Sequence, residues 1–402
     1  MRKLMKILVS LAIVILIVVA VLFWNHRTPV ELPLPTGNYG VGRATYEWHN
    51  PNAFSQLPPN PQEPRYVAAW IWYPIAKSYQ GQRTEYLPTK WREAFRASTG
   101  FVMGGLFTRD LSLVRTHSYL DAPLATDKSK FPVVVIRSGS SALAIELTSL
   151  AEELASHGYV VVGFDAPYRS FITVGSDDRV IHRSPAAALE EADPLALRAQ
   201  AEKLLPLWVE DARFVVDQLT QLDDADSLGK FSGHLDLSSV AAVGHSFGGA
   251  TALEFCYEDE RCKVAIDLDG IPFGNVVQNG LKKPFAFLLT DHGDLNDAES
   301  SPVVSAIESI YQRRLFDGRL LYVKGANHFS FTDQMLTKSE AAIGAIQLLR
   351  GGLDKRRGLY ISAQFVRTYL DVYLKGEAPS KLDSLLIEMP EIKPLLEVNH
   401  KP

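Results

Sequence analysis

One serine stands out among the 402 residues because of what flanks it: Gly244-His245-Ser246-Phe247-Gly248, followed by Gly249 and Ala250. A Gly-x-Ser-x-Gly run set between a strand and a helix forms a strained turn that lifts the serine oxygen to the top of a sheet. With ordinary glycine and serine usage the bare pattern arises by chance in roughly one chain in ten of this length, so its context decides. Here the apolar run Ser239-Val-Ala-Ala-Val243 precedes it and small, helix-compatible residues follow. The flanking glycines fit, because side chains there would collide with the neighbouring strand and helix.

A serine hydroxyl becomes a nucleophile when a histidine takes its proton, and that histidine needs a carboxylate to hold its tautomer. On such a turn the chain order is serine, acid, histidine. After Ser246 only His292, His328 and His400 remain, and His400 lies two residues from the end, where chains fray. His328, in Gly325-Ala-Asn-His-Phe-Ser-Phe331 just past the last predicted strand, is the expected base. The acid stays open on these residues alone. Asp269 ends the strand after the serine, at the carboxyl edge where ligands gather, whereas Asp291 and Asp294 follow the next strand; Asp267 is a more distant third. The oxyanion needs two backbone donors: the Phe247 amide and one from the loop Arg137-Ser-Gly-Ser-Ser-Ala142, where Gly139 permits close approach and Ser140 supplies the amide. Asp291, His292 and Asp294 are also metal-ligand types, but two carboxylates and one histidine in a turn more often make a solvated loop. This chemistry requires no metal or organic cofactor.

Positioning these groups takes a sheet. Short continuous apolar runs predict strands at 133–136, 159–164, 239–243, 264–268, 285–289 and 320–323, with helical patterns at 143–156, 204–219, 249–255 and 303–314 between them. Alternation of this kind predicts an α/β fold, a mostly parallel doubly wound sheet with helices on both faces. An antiparallel pair at 39–48 and 66–73 precedes it, joined by a proline-rich loop at 51–64. The stretch 169–203 is longer than a normal connection and is expected as a cap over the site. The apolar segment 101–106 reads as core in preference to a membrane-dipping turn.

Composition narrows the function classes. Forty-one basic against 46 acidic residues give a formal charge of −5, and no basic stripe offsets it, so nucleic acid is excluded as a partner. An apolar share of 47% and a charged share of 22% describe a globular chain with a large core. At the N-terminus Arg2, Lys3 and Lys6 precede an apolar run, 7–24, interrupted only by Ser10. As a helix this run is roughly 27 Å long, close to the ~30 Å hydrocarbon thickness of a bilayer. It ends in Val-Leu-Phe-Trp24 with no small-x-small cleavage site, so residues 1–27 are expected to be a single transmembrane anchor, with a cleaved signal as the alternative. The basic flank places the rest of the chain outside the cytoplasm, in the periplasm or beyond. Residues 28–37, with three prolines, are expected as a linker, and 38–402 as one catalytic domain. Cys256 and Cys262 could close a disulfide or remain two buried thiols.

From Gly37 to Glu391 these residues resemble the platelet-activating-factor acetylhydrolases of the plasma and intracellular type II kind, together with their bacterial relatives. The resemblance is carried by Gly244-His-Ser-Phe-Gly-Gly-Ala-Thr251, Glu258-Asp-Glu-Arg261, Asp269-Gly270, Phe273-Gly274, Tyr39-Gly-Val-Gly-Arg43, Phe131-Pro-Val-Val-Val135, Ala155-Ser-His-Gly158, and His328 with Phe331-Thr-Asp333. It implies the α/β-hydrolase fold and a triad of Ser246, Asp269 and His328, since the family's acid follows the strand next after the nucleophile. It similarly implies an oxyanion amide at Ser140. The implied reaction is hydrolysis of short or oxidised acyl esters of phospholipid-like alcohols, as in a 1-alkyl-2-acetylglycerophosphocholine esterase, through an acyl-serine. The family usually carries His-Gly where this chain has Ser138-Gly139 after Arg137, a departure that bears on the acyl or head group accepted. The alternatives are a general carboxylesterase or polyester hydrolase acting on soluble esters, and a non-catalytic hydrolase-fold binding protein, which would usually have lost the serine or the histidine.

Overall fold

In the computed structural model, which describes residues 2–189, 193–227, 229–292, 301–340, 342–344 and 352–395, the apolar run at 131–137 is a strand buried on both faces. Its alternate residues feed two different cores: Val133 and Val135 pack on one face of the sheet, Val134 and Ile136 on the other. The other central strands repeat the arrangement, which is why their sequences are continuously apolar.

The strands are β1 (Val30–Glu31), β2 (Gly40–Phe54), β3 (Pro64–Ile75), β4 (Arg83–Glu85), β5 (Val114–Leu120), β6 (Phe131–Arg137), β7 (Val160–Asp165), β8 (Ile172–Val174), β9 (Val180–His182), β10 (Leu235–His245), β11 (Cys262–Leu268), β12 (Phe285–Leu289), β13 (Gly318–Val323) and β14 (Ile392–Pro394). The helices are α1 (Arg2–Arg27), α2 (Thr89–Gly105), α3 (Thr148–Ser156), α4 (Pro194–Asp224), α5 (Phe247–Glu258), α6 (Asn275–Asn279), α7 (Ser301–Gln312), α8 (Gln334–Thr337), α9 (Lys355–Lys375) and α10 (Ser380–Glu388). The main sheet runs β1-β5-β2-β3-β7-β6-β10-β11-β12-β13-β14, with β4 on β5. Its centre, from β7 to β13, is parallel, and antiparallel β2–β3 and β14 flank it. One core takes Leu204, Trp208 and Val215 of α4, Leu253 of α5 and Ile310 of α7; the other takes Leu150 and Leu154 of α3 and Phe365 and Tyr369 of α9. The six predicted central strands and the antiparallel opening pair are all present.

Several expectations change. Helix α4 starts at Pro194, ten residues before the predicted 204, because Asp193 caps it by accepting from the amides of Leu195 and Ala196 and Pro194 then occupies the first turn, where no N–H is needed. The stretch 169–203 therefore holds a β8–β9 hairpin, a short 3-10 turn and the opening turns of α4, apart from 190–192, which lie outside the described residues. The segment 101–106 is not core: Gly100 breaks the helical path of α2 at φ 70°, and Phe101, Val102 and Met103 are exposed by 72%, 54% and 53%.

The expected linker, 28–37, is fastened to the domain along its length. Val30 and Glu31 pair in parallel with β5, the Leu32 amide donates to the Arg115 carbonyl, and the Thr36 amide donates to Glu153. Pro29, Pro33 and Pro35 do not oppose this, because a sheet edge needs only part of a strand's amides. The end of α1 is held as firmly. The His26 ring is buried against the Thr108 carbonyl at 2.7 Å, and the Arg109 guanidinium donates to the carbonyls of Asn25, Thr28 and Leu336 and to Glu340. A cation on the last carbonyls of a helix satisfies groups that the helix itself leaves unpaired. In α1 itself, only Leu22 and His26 are buried.

Candidate active site

Ser246 sits between the end of β10 and the start of α5 with φ 58° and ψ −128°, a backbone conformation that a side chain normally avoids. Close packing enforces it. A Cβ on Gly248 would lie 2.1 Å from the Arg137 carbonyl oxygen, and one on Gly244 would lie 1.9 Å from that of Gly248. The Ser246 amide donates to the Leu268 carbonyl at 2.9 Å, tying the turn to the end of β11.

Asp269 follows β11, also at positive φ, 56°. Its Oδ2 accepts from His328 Nδ1 at 2.6 Å. Its Oδ1 accepts from the Thr290 amide at 2.8 Å, the Thr290 hydroxyl at 2.9 Å and His292 Nε2 at 2.7 Å. Burial pushes this carboxyl up, but the hydrogen bonds from His292 and His328 outweigh it and hold the group well below the usual carboxylate range. Asp267, two residues earlier, has the opposite fate. Its Oδ1 accepts only from the Gly270 amide, its Oδ2 has no hydrogen-bond partner, and burial together with the Asp269 charge pushes it well above the carboxylate range. Asp291 is used elsewhere: its carboxylate accepts from the Gly325 amide at 2.8 Å and so braces the loop that carries His328. Asp294 and His400 lie outside the described residues.

Ser140, Ser246, Phe247, Asp269, His292 and His328 line one cavity of about 370 Å³, which Leu189, Leu197 and Ala201 close from the side of the long 169–203 connection. Ser246 Oγ makes no direct hydrogen bond to the His328 ring among the described residues. The loop holding Ser140 comes close to the serine, since a Cβ on Gly139 would lie 3.0 Å from Ser246 Cβ and 3.3 Å from Oγ. The backbone N–H groups of Ser140 and Phe247 take part in none of the loop hydrogen bonds found among the described residues. Below this loop Arg137 is buried, with its guanidinium 4.0 Å from the Trp208 ring centre and donating to the Phe164 carbonyl at 2.6 Å. Trp208 also meets the Phe247 ring edge-on at 4.9 Å, so its ring bridges Arg137 and Phe247.

The sequence assigns His245 no role and offers His292 only as a metal-ligand type in a loop. The buried His245 ring lies 4.5 Å from that of His328, and its Nε2 is 2.7 Å from the His328 carbonyl. Burial, with a further push from His328, lowers it to about 3, so it stays neutral and donates that bond. A histidine beside the motif serine and another just beyond the next strand were the available signals. His157 is structural, held between Glu153 and Thr36.

Comparison with known proteins finds similar sequences and a similar fold. Residues 211–385 match the family model described as platelet-activating factor acetylhydrolase, isoform II. A platelet-activating factor acetylhydrolase of Cavia porcellus is 24% identical over 371 residues, covering 87% of this chain and 79% of the relative. A probable 1-alkyl-2-acetylglycerophosphocholine esterase of Arthroderma benhamiae is 24% identical over 392 residues, covering 90% and 92%. A solved structure of a ferulic acid esterase from Streptomyces cinnamoneus superposes with a TM-score of 0.74 at 24% identity, covering 92% of this chain and all of that one, a likeness of fold. Over residues 211–385 the chain is thus similar to platelet-activating factor acetylhydrolase, isoform II, and its fold is that of the α/β-hydrolases.

Proposed function

We propose that the protein is a carboxylic ester hydrolase acting on short-chain or oxidised acyl esters of phospholipid-like substrates, with Ser246 as nucleophile, His328 as general base and Asp269 as the acid that orients it. The observation that carries this reading is the 2.6 Å contact between Asp269 and His328 Nδ1 in the same cavity as a serine on a strained turn. An ionised Asp269 accepts hydrogen bonds and cannot donate them, so Nδ1 bears the hydrogen and Nε2 is left to take the serine proton. The Ser246 oxygen attacks the ester carbonyl carbon, and the amides of Phe247 and Ser140 stabilise the oxyanion. Collapse expels the alcohol with the proton from His328, and water then hydrolyses the acyl-serine by the same steps. The serine–histidine hydrogen bond belongs to the substrate complex, since such bonds are often long in a free enzyme. The 169–203 connection acts as a cap, through Leu189, Leu197 and Ala201 in the cavity wall.

The finer placement is that α1 stays as a single-pass anchor with the catalytic domain outside the cytoplasm. A long apolar helix with an exposed surface, basic residues in its first turns and a Cys256–Cys262 disulfide support this. Exposed Phe101, Val102 and Met103 are positioned to enter the same bilayer, because Gly104 of α2 and His26 of α1 line one small cavity at the foot of the anchor. The test combines a variant with a substrate series. Ser246→Ala should abolish both turnover and fluorophosphonate labelling without changing the melting temperature. Wild-type rates should be higher on short-chain phospholipids in vesicles than on soluble nitrophenyl esters of equal acyl length. Equal rates would point to a general carboxylesterase, and absence of labelling in the wild type would remove the reading altogether.

A further inference from the structure

Two imidazoles, not one, hold the Asp269 carboxylate. His328 takes Oδ2 at 2.6 Å, and His292 takes Oδ1 at 2.7 Å from the loop after β12. We propose that His292 is a positioning residue of the hydrolytic reaction, fixing the Asp269 carboxylate and sharing its charge so that His328 is held as a base without being held protonated. The inference rests on the Ser246, His328 and Asp269 reading.

The geometry argues for more than local packing. Thr290 already gives Oδ1 an amide and a hydroxyl, both from the end of the neighbouring strand. His292 adds a third donor, and its side chain remains 43% exposed while lining the substrate cavity. Thr290, beneath it, is 3% exposed. Three donors on Oδ1 stop the carboxylate from rotating, so Oδ2 stays on His328. They also draw charge from it. A carboxylate facing a single imidazole would put its full charge on that imidazole and favour the protonated form, which cannot accept the serine proton. Among the described residues, the other titratable groups around this cluster are Asp267 on the end of β11, His245 against the His328 ring, and Asp291 beside His292, itself bonded to the Gly325 amide. Burial disfavours the charged forms of Asp267 and His245, and His292 is the second imidazole bonded to the Asp269 carboxylate.

The experiment compares His292→Phe and His292→Gln with wild type in the full-length, detergent-purified protein, measuring kcat, KM and the pH profile of kcat/KM on a soluble short-chain nitrophenyl ester. In His292→Phe, kcat should fall roughly ten-fold, equivalent to about 1.4 kcal/mol, with KM little changed. The acid limb of the profile should move to higher pH. The sign is the same whether His292 is neutral or charged, since removing either a donor or a cation leaves Asp269 pulling harder on the His328 proton. His292→Gln keeps an N–H donor and should recover most of the loss. Coincident profiles and kcat for His292→Phe and wild type would overturn the proposal, as would a His292→Gln variant as impaired as the phenylalanine one. Fluorophosphonate labelling of Ser246 confirms that each variant is folded, and if His292→Phe is not, the pH profile of His292→Leu decides. Activity surviving in Ser246→Ala would count against the triad itself, so the two failures are separable.

Discussion

Two buried acidic regions of this protein end in opposite states. At the carboxyl edge of β11, Asp269 is surrounded by two imidazoles, a hydroxyl and an amide, and it is held well below the usual carboxylate range. Beside α3, Asp333 is 1% exposed and receives the Ser149 amide at 3.3 Å on each oxygen, and burial raises it to about 8. Glu152 nearby accepts from the amides of His117 and Ser118 at 2.8 Å, with its second oxygen unpartnered, and burial raises it too. Depth alone therefore does not decide whether a carboxyl carries charge. The number and kind of donors decide, and imidazoles make the difference. The first region holds the acid of the proposed triad in its charged form; in the second, Asp333 joins α3 to the loop after β13 and Glu152 joins α3 to β5.

Removing the charge should separate the two regions most clearly. Asp269→Asn should lower kcat by about 10⁴-fold, because the amide no longer fixes the imidazole tautomer. Asp333→Asn should leave kcat within about three-fold, and both are read from steady-state rates on one ester. A large loss in Asp333→Asn with little loss in Asp269→Asn would invert the comparison.

The next effect is on stability. Unfolded aspartate titrates near pH 3.9, whereas folded Asp333 retains its proton to about 8. Between these values the unfolded chain releases a proton that the native chain keeps, so this group's contribution makes stability fall as pH rises from about 4 to about 8 and then level off. Asp333→Asn lacks that contribution, so its melting temperature should decline less than that of the wild type over the same window. Parallel melting curves would mean that Asp333 is ionised in the fold. Asp267→Asn should show the smallest change, with kcat within about two- to three-fold of wild type, because a side-chain carbonyl can still accept from the Gly270 amide. A loss as large as that of Asp269→Asn would show that its charge matters after all.

How legible all this is in the sequence depends on the range of the interaction. The turn at Ser246 could be read directly, because a strained strand-to-helix bend demands glycines at fixed neighbouring positions. His328 could be read from chain order and its place after a strand. The acid could not be chosen without the family resemblance, since Asp269 and Asp291 both follow strands and only the pairing of β11 with β12 directs one to the imidazole and the other to Gly325. His292 escaped for the same reason: its bond crosses between two strand ends. At α4 the start is written in Asp193-Pro194, a cap followed by a first-turn proline, ahead of the apolar pattern that begins at 204. The partners of the 28–37 stretch are far along the chain, at Arg115 and Glu153, and its own composition gives no hint of them.

The grip of Arg109 and His26 on the end of α1 has a mechanical consequence. A hydrolase on a loose leash could sample every angle above a bilayer and turn its mouth toward solvent as often as toward lipid. Should α1 cross a membrane as proposed, its last turn, clasped by the domain, would make the enzyme behave as a blade fixed in its hilt. The height and tilt of the opening would then be set by the fold, and the molecules it met would be those of the leaflet at its own base.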